Sequence, residues 1–162
     1  MNNRILILIV SAVSCFGMVS CYKTPEFPIE PTLEFDTINV SNPYQALTAG
    51  SMFLKFTDGD GDLGLLSTDD VVNVNSIFIK TVKYNKEDTS NIPFIPKRGT
   101  SDAISGTIEI KLGGTLSGLI DEADLLLLQK PLDTLVFDIY IRDRAGHNSN
   151  VVTTPPLVIK TN

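Results

Sequence analysis

Apolar and polar residues alternate along most of this chain with a period of two, the pattern of strands that bury one face. In the clearest segment, Ile104 to Leu112, the pattern places Ile108 and Ile110 inward and the polar residues between them outward. The same alternation predicts further strands at Thr32 to Ile38, Ser51 to Thr57, Ser76 to Tyr84, Thr134 to Arg142, Val151 to Val152 and Leu157 to Ile159. We therefore predict an all-β fold of about seven strands, arranged as an antiparallel sandwich.

One segment, Leu119 to Gln129, has the composition of a short helix, which Pro131 would end. The remaining strands suit a sandwich of the immunoglobulin or fibronectin-III type. If Ser51 to Thr57 is the second strand of such a sandwich and Thr134 to Arg142 the sixth, the loops after these strands lie at the same end. The sequence thus predicts that two loops distant along the chain meet in space.

The N-terminus has the pattern of an export signal. A basic start at Arg4 is followed by an apolar run, Ile5 to Val19, that is shorter than the about 20 apolar residues of a permanent membrane span. The small residue Ser20 before Cys21 resembles the lipobox of bacterial lipoproteins, in which diacylglycerol is attached to the cysteine sulfur. We predict a signal peptide over residues 1–20 and a lipid on Cys21, with an ordinary secretory signal as the alternative.

A proline-rich tether follows the predicted lipidation site. Pro25, Pro28 and Pro31 recur at every third residue, which is one turn of a polyproline II helix, a semi-rigid extended conformation. We assign residues 21–31 to the lipidated cysteine and its tether and residues 32–162 to the β-sandwich domain.

Composition restricts the function classes. Without the signal peptide the chain has 12 basic and 19 acidic residues, a net charge of −7. This balance argues against nucleic acid as a partner, because phosphates are bound through lysine and arginine. Cys15 leaves with the signal and Cys21 carries the lipid, so no disulfide can form. Since His147 is the only histidine, sites that need two histidines are excluded.

The segment from Asp58 to Gly64 reads Asp-Gly-Asp-Gly-Asp-Leu-Gly. Its three aspartates, Asp58, Asp60 and Asp62, alternate with glycines, so their oxygens can converge on a hard cation such as calcium. It is not an EF-hand, because Leu63 takes the place of the glycine required at position six and a strand enters the loop. Asp-Gly pairs also form ordinary turns. We predict a calcium site, with a solvated turn as the alternative.

A second motif, Asp143 to Asn148, lies between two predicted strands and is typical of a hairpin turn, in which Gly146 or Asn148 takes a positive φ. His147 in this turn is interpreted as a solvated histidine rather than a catalytic one. If the two loops share one end of the sandwich, Asp143 completes the ligand shell begun by the three aspartates.

Residues 56–64 and 138–150 together resemble segments of a group of small lipoproteins of Bacteroidota. The second segment is also similar to the closing hairpin of bacterial immunoglobulin-like modules, where Asp-x-Ala-Gly-Asn is common and His147 here replaces the asparagine. The resemblance implies the sandwich fold, the lipid anchor and export to the outer membrane. It implies no activity and leaves open which face of that membrane the domain occupies.

We expect a non-enzymatic, lipid-anchored module of the cell envelope that has a calcium-stabilised loop end and serves binding or structure. Its expected partners are the membrane, through the lipid, and an envelope protein or a glycan. The alternative is a carbohydrate-active or other hydrolytic enzyme that uses the loop carboxylates. No catalytic residue is identified, and the absence of tryptophan leaves little surface for stacking sugars.

Overall fold

A computed structural model describes residues 26–40, 50–67, 76–96, 102–113, 119 and 132–160. The predicted signal peptide, Cys21 and the first residues of the tether lie outside these ranges, and so does the predicted helix apart from Leu119. No helix within these ranges is long and apolar enough to cross a membrane.

The predicted all-β architecture is confirmed, although the described residues form nine strands rather than about seven. The strands are β1 (Thr32–Asn39), β2 (Ser51–Asp58), β3 (Ile77–Thr81), β4 (Glu87–Ser90), β5 (Ile104–Lys111), β6 (Leu132–Leu135), β7 (Phe137–Ile141), β8 (Val152–Thr153) and β9 (Leu157–Lys160). Every pairing between them is antiparallel.

Two larger sheets and one further strand pair make up the β-sandwich-like architecture. One sheet has the order β1-β2-β5, the other has the order β4-β3-β7-β8, and β6 pairs with β9. The inward side chains of all these strands except β4 and β8 join one apolar core. That core includes Leu33, Met52, Leu54, Ile79, Ile108, Ile110, Leu135, Phe137, Ile139 and Ile159.

The predicted inward faces are confirmed where the alternation is regular. Ile108 and Ile110 of β5 are buried, and Phe137 and Ile139 of β7 are completely inaccessible to solvent. The intervening Asp138 and Tyr140 are partly exposed. Period-two alternation therefore identifies which side of each of these strands meets the core.

The predicted single strand Thr134 to Arg142 is wrong in one respect, because it is divided at Val136 into β6 and β7. The segment that pairs with β6 and β7 consists of β9 and β8, and between these two strands lie Pro155 and Pro156, which have no N–H to donate to a ladder. Thr154 instead makes the hydrogen bonds to Phe137. Its hydroxyl accepts a hydrogen bond from Phe137 N at 3.1 Å, and its amide donates to Phe137 O at 2.9 Å.

The predicted strand Ser76 to Tyr84 is also too long. β3 ends at Thr81, where the chain turns through Asn85, whose φ is 53°, into the unpredicted strand β4. The turn is closed by Thr81 N, which donates to Lys86 O at 2.8 Å. Alternation could not reveal β4, because this edge strand, Glu87–Ser90, contains no apolar residue.

Candidate metal centre

Asp58 is an acidic residue at a position that the strand pattern gives to the core. It is the last residue of β2, and it follows Met52, Leu54 and Phe56 on the buried face at intervals of two. Its side chain is accordingly 0% exposed. A buried carboxylate requires compensation by hydrogen bonds or by an ion, because burial removes its hydration.

Three carboxylates converge at this end of β2. Asp58, Asp60 and Asp62 each offer one oxygen, and these oxygens all lie within 4.8 Å of one another. The chain can bring them together because Gly61 takes a φ of 67°, a conformation that side chains with a Cβ rarely adopt. The cluster could therefore hold a metal ion.

The hydrogen bonds of this cluster leave some of its oxygens unused. Leu63 N donates to Asp58 Oδ2 at 3.0 Å, which closes the loop around the buried carboxylate. Asp58 Oδ1 and Asp62 Oδ1 are both inaccessible to solvent, and neither accepts a hydrogen bond from the part of the chain that the structure describes. Buried oxygens without a donor are uncommon in folded proteins, and a bound cation is one explanation.

The pKa values of the aspartates show the same effect of burying several carboxylates close together. Burial raises the pKa of the Asp58 carboxyl from 3.8 to about 6, and the charges of Asp60, Asp62 and Asp143 add to the rise. The Leu63 amide opposes it by donating to the carboxylate. Burial also raises the pKa of Asp62, with Asp143 as the next cause. These carboxyls therefore keep their protons to a higher pH than an ordinary aspartate does.

The neighbouring hairpin turn contains a second buried aspartate with a different environment. Asp143 is 2% exposed, and its two oxygens accept hydrogen bonds from His147 N at 2.7 Å and from His147 Nδ1 at 2.9 Å. The hydrogen bond to Asp143 raises the pKa of His147. Gly146 takes the positive φ predicted for this turn, at 96°.

The two loops meet, as predicted from the assumed sandwich topology. Ala145 N donates to Asp62 Oδ2 at 3.0 Å, and Arg144 Nη1 donates to Gly64 O at 3.0 Å. Asp143 is outside the group of three carboxylates within 4.8 Å, and both of its oxygens accept hydrogen bonds from His147. Its predicted role as a direct ligand stays a prediction.

Sequence reasoning missed a third segment at this end of the domain. A Cβ placed on Gly59 would lie 2.4 Å from Phe27 O and 2.5 Å from Pro28 O, so the tether backbone lies directly against the aspartate loop. The tether then enters β1, where Asn150 Oδ1 accepts from Leu33 N at 2.9 Å. No signal in the tether indicated this contact; a glycine between two aspartates was the only local clue.

No protein-family model matches this chain, and neither the curated proteins nor the solved structures contain a match to it. The resemblance to lipoproteins of Bacteroidota therefore stays a prediction. The geometry of the aspartate cluster is therefore the basis for assigning a function.

Proposed function

We propose that this protein is a calcium-stabilised module of the cell envelope, attached to the membrane by a lipid on Cys21. The observation that carries the cation assignment is Asp58, which is 0% exposed and whose Oδ1 has no donor among the described residues although two further carboxylates lie beside it. A cation at this point would neutralise the mutual repulsion of the carboxylates and supply the missing partner.

Calcium suits the donor set better than other cations. The ligand atoms are carboxylate oxygens, which hard cations prefer, and calcium tolerates irregular geometry and six to eight ligands. Magnesium requires a small octahedron and usually retains several waters, so it fits a buried carboxylate such as Asp58 less well. Zinc favours nitrogen and sulfur, which Asp58, Asp60 and Asp62 do not provide.

An immunoglobulin or fibronectin-III topology is the fold type that the strand order supports. The sheet β1-β2-β5 corresponds to strands A, B and E of such a domain, and the sheet β4-β3-β7-β8 corresponds to strands C′, C, F and G. The pairs β7–β8 and β6–β9 then form successive parts of one long final hairpin. Domains of this type present their loops at two ends. The role as a binding or structural accessory is proposed by analogy with the fold, because function is set by the site and not by the fold.

Thermal melting in calcium and in chelator tests the cation site. A cation that binds only the folded state stabilises it by about 2.7 kcal/mol at a hundredfold excess over its Kd. We expect millimolar calcium to raise the Tm, and Asp60→Ala to abolish that increase. Magnesium is expected to substitute poorly. A melt that calcium and chelator leave unchanged, together with no heat of binding in calorimetry, would show that the loop is a plain turn.

Metabolic labelling with a fatty acid tests the anchor independently. Ser20 and Cys21 follow an apolar run, so we expect the wild-type protein to take up the label and to fractionate with membranes. Cys21→Ala is expected to take up no label and either to leave the membrane or to retain its signal peptide. Equal labelling of the two proteins would contradict lipidation at Cys21.

A further inference from the structure

Three separate segments meet at one end of this domain: the tether residues 27–30, the loop from Asp58 to Gly64, and the turn around His147. We propose that the bound cation fastens the tether to the domain, so that calcium controls how rigidly the β-sandwich-like domain is held relative to its membrane anchor. This inference rests on the proposed cation site and adds a role for it.

The contact between tether and loop is made by backbone on both sides. Phe27 O and Pro28 O are the atoms closest to a Cβ built on Gly59, at 2.4 and 2.5 Å, and Pro28 C follows at 2.8 Å. Values under 3.0 Å mean that no side chain fits at this position. The contact therefore depends on the backbone path of the loop, and this path in turn depends on Asp58 and its neighbours.

Both sides of this contact carry negative charge or the negative ends of dipoles, so a cation would stabilise it. The tether presents carbonyl oxygens, the negative ends of peptide dipoles, to a glycine that lies between Asp58 and Asp60. Glu30 adds a further negative charge close enough to contribute to the raised pKa of His147. Arg144, which donates to a backbone carbonyl of this loop, offsets part of this negative charge, and a bound cation would offset more of it. With calcium, the same oxygens belong to the class of ligand that this ion accepts, because backbone carbonyls complete many calcium sites.

Because of the path of the chain, this contact changes the length of chain between the domain and its membrane anchor. Thr32, the first residue of β1, pairs with Thr57, the residue before Asp58, and their hydroxyls lie 2.6 Å apart. The tether thus leaves the domain beside the aspartate cluster. Docking at residues 27 and 28 shortens the stretch of chain that separates the docked part from Cys21 to residues 22–26, whereas without docking that stretch extends to β1.

Hydrogen exchange on the full-length protein in detergent, with calcium chloride or with chelator, tests the proposal. We expect calcium to slow the amides of Ile29 and Glu30 by about tenfold or more, together with those of the aspartate loop. The amide of Leu33, which donates to Asn150, is expected to be protected in both conditions and serves as the internal reference.

Gly59→Ala separates the tether from the cation site, because it keeps all three carboxylates and places a methyl group where the tether lies. We expect this variant to retain the slowing of the loop amides and to lose that of Ile29 and Glu30. Gly106→Ala is the matched control, since the atoms nearest to its Cβ belong to the Phe56 ring, at 3.0 Å and beyond, and not to the tether. It should behave like the wild type.

The outcomes distinguish this inference from the cation site on which it rests. If calcium slows the loop amides of the wild-type protein and leaves the tether amides unchanged, the tether role is overturned and the cation site stands. Tether amides equally protected in calcium and chelator would overturn it too, as would undiminished protection in Gly59→Ala. If calcium affects neither segment, the cation site and the tether role are both wrong.

Discussion

Two aspartates are buried in adjacent loops of this domain, and they are satisfied in opposite ways. Asp143 accepts hydrogen bonds at both oxygens, from the amide and the ring of His147. Asp58 accepts one at Oδ2, from Leu63, and its Oδ1 has no donor among the described residues. Burial alone therefore does not distinguish a structural carboxylate from a candidate ligand, whereas the count of satisfied oxygens does.

The difference follows from what each loop places around its carboxylate. The hairpin turn brings a histidine side chain and an amide to Asp143, so its negative charge is compensated within the turn. The loop after β2 brings two more carboxylates to Asp58, and the Leu63 amide compensates its charge only in part. The first arrangement holds a turn in shape, and the second could hold a cation, as proposed above.

The largest expected loss of stability comes from the apolar core, and the effects of the two aspartates are compared with it. Phe137 is 0% exposed, so Phe137→Ala should lower the free energy of unfolding by about 3–5 kcal/mol, equally in calcium and in chelator. Asp138→Ala is the matched control on the outer face, where it loses a hydrogen bond from Thr153 Oγ1. A larger loss for Asp138→Ala in chemical denaturation would mean that the inward face of β7 has been misassigned.

The sharpest test of the comparison replaces each aspartate by asparagine. Asp143→Asn exchanges one acceptor oxygen for a donor, so His147 loses a charge-assisted hydrogen bond, and we expect a loss of about 1.5–3 kcal/mol with or without calcium. Asp58→Asn should instead gain about 1 kcal/mol in chelator, because its amide can donate to the neighbouring carboxylates and the buried charge disappears.

In calcium, Asp58→Asn should be the less stable protein compared with wild type, since it lacks an anionic ligand. The sign of its effect therefore reverses between chelator and calcium, and that of Asp143→Asn does not. Melts in the two conditions measure both signs. If the two variants destabilise equally in chelator, the proposed contrast between the two carboxylates is wrong.

The last expected effect is a dependence on pH. Because the pKa of Asp58 is raised from 3.8 to about 6, the folded state binds its proton more tightly than the unfolded state does. In chelator, stability should therefore fall as pH rises from about 4 to about 6 and level off above that range. The raised pKa of His147 adds stability below 6.5 that is lost as pH rises through its folded pKa.

Asp58→Asn isolates the first contribution. The difference in Tm between wild type and this variant, measured in chelator, should change between about pH 4 and about pH 6 and be constant above. In calcium the stabilisation should grow over the same range, because the carboxyl must lose its proton to bind the ion. A Tm difference in chelator that is flat across this range would contradict the raised pKa.

The elements with one regular apolar face could be predicted from the chain alone. The bounds of β2 and β5 agree with the alternation within one residue, because β2 buries every second side chain and β5 does so except at Gly106. The edge strand β4 could not be predicted, since its side chains need no core. The break at Val136 could not be predicted either. It is caused by Pro155 and Pro156, which lie between the two opposite strands, and only the pairing of the strands brings these prolines next to Val136.

For the candidate site, the sequence by itself determined the ligand chemistry: three carboxylates on alternate residues, separated by glycines that permit the turn. The burial of Asp58 continues the inward positions of β2, but it was not predicted, because the predicted strand ended at Thr57. Only the tertiary structure decided that both Asp143 oxygens accept hydrogen bonds from His147, that Asp62 Oδ1 has no donor in the part of the chain that the structure describes, and that the tether lies on Gly59. Those facts depend on contacts between segments far apart in the chain, and local periodicity carries no information about which segments meet.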